Sequence, residues 1–110
     1  MNPYVIPGLY TSLDMIENAA IRFYGADPYQ KTRQLKPLFI RYIVFRFGFF
    51  MYKKTSVELG LRYRQDHATV LNGMRKISWR YKTNQSFRNE IDSICQSVGI
   101  TINEVKRIMN

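Results

Sequence analysis

Four consecutive residues, Asp66-His67-Ala68-Thr69, bring together a carboxylate, an imidazole, a methyl group and a hydroxyl. At the first turn of a helix these groups can read the edges of base pairs. A carboxylate accepts from the cytosine N4 amino group, and a methyl or an imidazole touches the thymine methyl. A threonine hydroxyl and the unpaired N–H groups of a helix start can hold a phosphate. The plainer reading makes Asp66 an N-cap and leaves His67 and Thr69 in solvent. An acid facing DNA is repulsive unless cations surround it, and Arg62, Arg64, Arg75 and Lys76 flank this one in sequence. Arg64, Gln65, Asp66, His67, Ala68, Thr69, Arg75 and Lys76 therefore form a candidate DNA-contacting set.

Such a set works only if a rigid element presents it. Thr55-x-x-Glu58 is a capping box, so a helix is expected from there through about Tyr63. Arg64-Gln65 make a tight turn. Asp66 then caps a second helix over 67–82, whose inward face is Val70, Met74, Ile77 and Tyr81. Two helices joined by so short a turn form a helix–turn–helix, a device that puts its second helix in the major groove.

The rest of the chain reads as further helices. Thr11-Ser12-Leu13-Asp14 starts the first, with an apolar stripe of Leu13, Ile16, Ala20 and Phe23 and a stop at Gly25. Asp27-Pro28 predicts a single short turn of helix. Pro37 opens a helix that is apolar nearly all round and so belongs in the middle of the domain. Tyr42, Phe45, Phe49 and Tyr52 recur on it at helical spacing, as core aromatics do. Gly48 inside it predicts close packing of another helix, or a kink.

Ser86 to Val98 is expected to bury Phe87, Ile91, Ile94, Cys95 and Val98, and Thr101-x-x-Glu104 caps a short final helix. Residues 1–10 read as an extended arm packing on the body. No segment alternates with period two for long enough to make a strand. The expected fold is all-α, one multi-helix domain over residues 1–110 with C-terminal helices over 86–110.

The chain has a formal net charge of +9, unevenly placed. Between Tyr29 and Lys82 lie 13 Lys/Arg and two acids, whereas residues 1–28 sum to −2 and 83–110 to zero. A polyanion offsets the self-repulsion of such a segment, and nucleic acid is the expected one. Lys31, Arg33 and Lys36 form a basic connector suited to tracking phosphates, with Arg33 entering the minor groove. Lys53 and Lys54 precede the first helix of the motif as further phosphate contacts.

Other classes find little support. One cysteine and one histidine fall short of a structural zinc site. No phosphate-binding loop and no flanking carboxylate pair mark catalysis, so no enzyme, cofactor or nucleotide is expected. The most apolar run, 37–52, contains Arg41 and Arg46 and is shorter than the roughly 20 residues that span a bilayer. No membrane partner is expected. Cys95 reads as a core thiol in a reducing compartment, and no signal peptide is visible. The expected location is the cytoplasm, at the nucleoid.

Taken in order, SVELGLRYRQDHATVLNGMRKI resembles the signature of the C-terminal DNA-binding domain of the bacterial chromosomal replication initiator DnaA, roughly SLxEIGxxFGGRDHTTVxHAxxKI. Glu58, Gly60, Tyr63, Asp66, His67, Thr69, Val70, Lys76 and Ile77 fall on matching positions. Upstream, Lys31, Arg33 and Arg41 repeat the spacing of the family's basic connector and of the Arg that opens its apolar helix. The resemblance covers about residues 13–77. It implies a Trp-repressor-like helix–turn–helix on double-stranded DNA. Asp66, His67 and Thr69 would take base and phosphate contacts, with Arg41, Lys54 and Lys76 on the backbone.

Three departures point to a target other than the family's usual box. Arg64 stands in a glycine pair shortened by one residue, Gln65 stands where the family has Arg, and Ala68 replaces a Thr. The family's ATPase module is missing, and the Met start reads as a stand-alone protein that cannot melt an origin by nucleotide-driven assembly. The expected function is duplex-DNA binding in replication control or transcription, in a bacterium, phage or mobile element. The rival is a protein-interaction or structural module that kept the fold and lost base reading, which Gln65 and Ala68 favour. An RNA binder is a third reading, and self-association is left open.

Overall fold

Frequent capping residues make short helices with sharp ends, and a computed structural model describes residues 12–110 as six of them. They are α1 (Leu13–Tyr24), α2 (Leu35–Phe50), α3 (Ser56–Tyr63), α4 (His67–Thr83), α5 (Gln85–Gln96) and α6 (Ile102–Met109). Among the described residues there is no strand, in keeping with an all-α domain. Side-chain oxygens of Ser12, Thr55, Asp66, Asn84 and Thr101 each accept a first-turn N–H of the following helix. Ser12 thus starts α1. Thr11 and the arm over 1–10 lie outside the described residues.

The apolar α2 is central, packing against α1, α3, α4 and α6. Ile40, Ile43, Val44, Phe45 and Phe47 are wholly buried. Gly48 marks close packing, not a kink: a Cβ there would lie 2.5 Å from Leu59 Cδ2 of α3. Two aromatic expectations fail. Phe49 is exposed against Phe50, because the stripe runs past the core at the last turn of α2. Phe23 is exposed because Glu17 and Tyr24 take the inward arc of α1 beside Leu13, Ile16 and Ala20.

The helical turn expected at Asp27-Pro28 is a plain turn. Asp27 Oδ1 accepts from Tyr29 N at 2.9 Å, and Asp27 O accepts from Gln30 N at 3.3 Å. That local side-chain bond competes with helix formation. The C-terminal helices belong to the same core. Arg46 Nε donates to Ile108 O at 2.7 Å, and the Ser78 hydroxyl donates to Met109 O. Val98 lies just past α5 and is half-buried, whereas Cys95 is fully buried, with burial pushing its thiol pKa up. No helix among the described residues is long and apolar enough to cross a membrane.

One buried charge sets how the motif sits on this core. Glu17 of α1 is 5% exposed. Its carboxylate accepts from the Tyr29 hydroxyl at 2.9 Å, from the Tyr63 hydroxyl, and from Arg62 Nε at 3.1 Å. Arg62 also pairs with Asp14. A buried carboxylate is tolerable only with its lone pairs satisfied, as here. α1, the turn at Tyr29 and α3 therefore have one mutual arrangement that avoids a buried unpaired charge.

Burial first, then the Glu17 hydrogen bond and charge, raise the Tyr63 hydroxyl pKa well above 10.0. A raised folded-state pKa contributes stability that is complete below the unfolded value and is lost as pH climbs beyond it. Urea unfolding should therefore show stability falling above pH 10, by up to about 1.4 kcal/mol per pH unit for each such tyrosine. Tyr63→Phe should cost about 1 kcal/mol at neutral pH and make that alkaline fall shallower. Glu17→Ala should cost about 3 kcal/mol, because it leaves the buried Tyr63 hydroxyl, the Tyr29 hydroxyl and Arg62 Nε without their acceptor. A Glu17→Ala chain as stable as the parent would refute the hub.

Candidate nucleic-acid interface

The motif's turn is held by backbone as well as by side chains. α3 ends on Arg64 in the left-handed region, φ 59°. The next residue, Gln65, reaches back with its N–H to Gly60 O at 2.8 Å. A Cβ on Gly60 would lie only 2.2 Å from Gln65 O, so the turn closes only over glycine. Asp66 follows as the N-cap, Oδ1 accepting from Thr69 N at 2.7 Å. Hydrogen bonds from the Thr69 side chain and N–H hold its carboxyl below the usual carboxylate range. Asp66 is thus a cap and yet stands exposed at the start of α4.

α4 buries Val70, Gly73, Met74, Ile77, Ser78 and Tyr81 against the core, matching the expected inward face. Its other side presents His67, Ala68, Arg75 and Lys76 to solvent, with Thr69 and Gln65 half-buried. From His67 to Lys76 the face runs about 14 Å. Three more exposed residues, Leu71, Asn72 and Trp79, lie on it and were not anticipated. Their spacing of three and four from Ala68 and Arg75 is the signal that marks them. Thr69 faces partly inward toward Asp66, which leaves less of it for a phosphate.

The cations divide into two groups. Lys31, Arg33, Lys36, Lys53, Lys54, Arg64, Arg75 and Lys76 are all exposed. None of these has an internal hydrogen bond or ion pair from its side chain among the described residues. Lys53, with φ 56°, turns the chain out of α2, and Lys54 N–H bonds back to Gly48 O at 3.0 Å. Arg41 and Arg62 turn inward, correcting two expectations.

Arg41, expected on the DNA backbone, is 6% exposed. Its Nη1 donates to Pro28 O at 2.9 Å and to Gln30 O at 3.1 Å. The guanidinium sits under the connector because carbonyls that no helix satisfies need donors there, and one fork supplies several. It holds the backbone leading into the connector that carries Lys31 and Arg33, with its guanidinium turned away from solvent. Arg62, counted as an offset to the Asp66 charge, is held by Asp14 and Glu17 of α1. That offset falls to Arg64, Arg75 and Lys76.

Two changes in the turn should move stability in opposite directions. Arg64→Gly should raise it by about 0.5–1 kcal/mol, because a left-handed residue with a Cβ is strained. Gly60→Ala should lower it by more than the roughly 1 kcal/mol of helix propensity that alanine adds, through the clash with Gln65 O. Thermal unfolding followed by circular dichroism reads both, and a stabilising Gly60→Ala would overturn the turn geometry. Arg41→Lys should cost about 2 kcal/mol, since one ammonium cannot reproduce the forked contacts. Amide exchange over residues 28–33 should quicken in the same variant, and unchanged protection there would refute the clamp.

No protein-family model, curated protein or solved structure matches this chain. Its own geometry therefore carries the functional reading.

Proposed function

We propose that the chain binds double-stranded DNA, with the N-terminal half of α4 in the major groove and the 31–36 connector on the backbone and minor groove. One observation carries this reading. A helix start bearing Arg64, Asp66, His67 and Ala68 stands exposed on a rigid turn, among cations with no side-chain partner in the described fold. Phosphates supply the affinity through Lys31, Lys36, Lys53, Lys54 and Lys76. Arg33 enters the minor groove. Asp66, His67 and Ala68 select bases, and Asn72, one turn further along the exposed face, can pair with adenine through its amide. The role that fits such a protein is control of replication or transcription at the nucleoid.

Selection from a random duplex pool, followed by binding measured across salt concentrations, tests this. We expect an enriched motif and a linear fall of log affinity with log salt. Lys54→Ala should weaken every sequence alike and reduce the salt slope by about 1. Asp66→Asn keeps a capping side chain and should relax preference at one base pair by about 1–3 kcal/mol. If no motif emerges, or if both variants act equally on all sequences, α4 is not a base reader.

A further inference from the structure

Beyond the DNA-facing end of α4 lies an apolar groove whose floor reaches the core at Ile77 and whose rim shares Lys76 with the proposed phosphate contacts. Leu35, Leu38, Phe39 and Tyr42 of α2 form one wall, and Ile77 and Trp79 of α4 the other, around a cavity of about 270 Å³. Trp79 is 68% exposed and Leu35 60% exposed. Two large apolar side chains exposed side by side along one groove make a patch, and tryptophan is enriched at binding hot spots.

The charge of the groove names the partner's chemistry. Lys76 and Arg80 line it, and no acid does. The Arg80 guanidinium lies over the rings of Phe39, at 4.8 Å, and Phe87, at 5.2 Å. Its Nε is buried and meets no acceptor among the described residues, an orphan donor that a protein interior rarely leaves unsatisfied. The groove thus offers an apolar slot with two cations, Lys76 and Arg80, on its rim. DNA phosphates do not fill a slot walled by leucine and phenylalanine. A second copy of this chain, itself at +9, brings repulsion.

We infer that the α2/α4 groove is a docking site for an acidic amphipathic helix of a partner protein. The helix inserts apolar anchors between Leu35 and Trp79 and presents carboxylates to Lys76 and Arg80. This is a helix-in-groove mode, in which anchors at i, i+3 or i+4 and i+7 enter the slot. The inference stands whether or not α4 reads bases, because its binding surface is centred on Trp79 and not on Asp66.

Trp79 is the only tryptophan, so its emission reports the groove directly. The probe is a synthetic helical peptide of about 15 residues, with leucine and phenylalanine on one face and glutamate on the other. It is titrated into the full chain, against an order-shuffled peptide and one with lysine for glutamate. We expect a saturable blue shift with the first peptide and none with the controls. Leu35→Ser changes an exposed side chain and should weaken binding about tenfold at unchanged thermal stability. Arg80→Met keeps the contacts with Phe39 and Phe87 and should weaken it comparably.

Equal binding of the shuffled peptide overturns the proposal, as does a peptide complex that leaves Trp79 emission unmoved. A blue shift with protein concentration alone, matched by sedimentation as a dimer, assigns the groove to a second copy. A shift produced by duplex DNA and abolished by Leu35→Ser assigns it to nucleic acid. Either result also overturns the proposal.

Discussion

The arrangement of this domain hangs on a carboxylate buried where three segments meet. Glu17 comes from α1, Tyr29 from the turn before the connector, and Arg62 and Tyr63 from α3. Removing a charge from water costs several kcal/mol, and only a full set of donors repays it. Sliding α3 along α1, or lifting the turn at Tyr29, would leave that charge unpaired. The hub therefore fixes the pose of the helix–turn–helix on the core more than it adds net stability. Arg41 extends the same constraint to the connector through the carbonyls of Pro28 and Gln30.

The basic residues sort by the geometry of their head groups. Those with internal roles are arginines: Arg41 under the connector, Arg46 at Ile108 O, Arg62 at Glu17, and Arg88 at Tyr81 O and Lys82 O. A planar fork can satisfy several carbonyls or a carboxylate at once, and it sheds water more readily than an ammonium does. Lys31, Lys36, Lys53, Lys54, Lys76 and Lys82 stay in solvent. The positive charge that reaches the surface is consequently less than the sequence total suggests. It lies on the connector, around the entry to α3, and along the outer face of α4.

Much of this was legible in the chain. Thr55, Asp66 and Thr101 announce helix starts because a short oxygen side chain three residues ahead of an N–H does the same work in any fold. The inward face of α4 was readable because Val70, Met74, Ile77 and Tyr81 keep a helical period. Exposed site residues such as His67, Ala68, Arg75 and Lys76 followed from the complement of that face. Phe23, Phe49 and Asp27-Pro28 misled, since local pattern does not say where a neighbouring helix ends or whether a side chain will bond its own backbone.

By itself the sequence determined the all-α class, the helix starts capped by Ser12, Thr55, Asp66 and Thr101, and the tight turn at Arg64-Gln65, because capping and periodicity act within a few residues. Tertiary structure decided which charges remain available. Glu17, Arg41 and Arg62 look like surface residues in a linear string, yet packing places them against partners from 9 to 48 residues away in the chain. It also decided that Leu35 and Trp79 flank one groove, since α2 and α4 meet only when the core forms. Burial and pairing are properties of the assembled helices, and no local pattern encodes them.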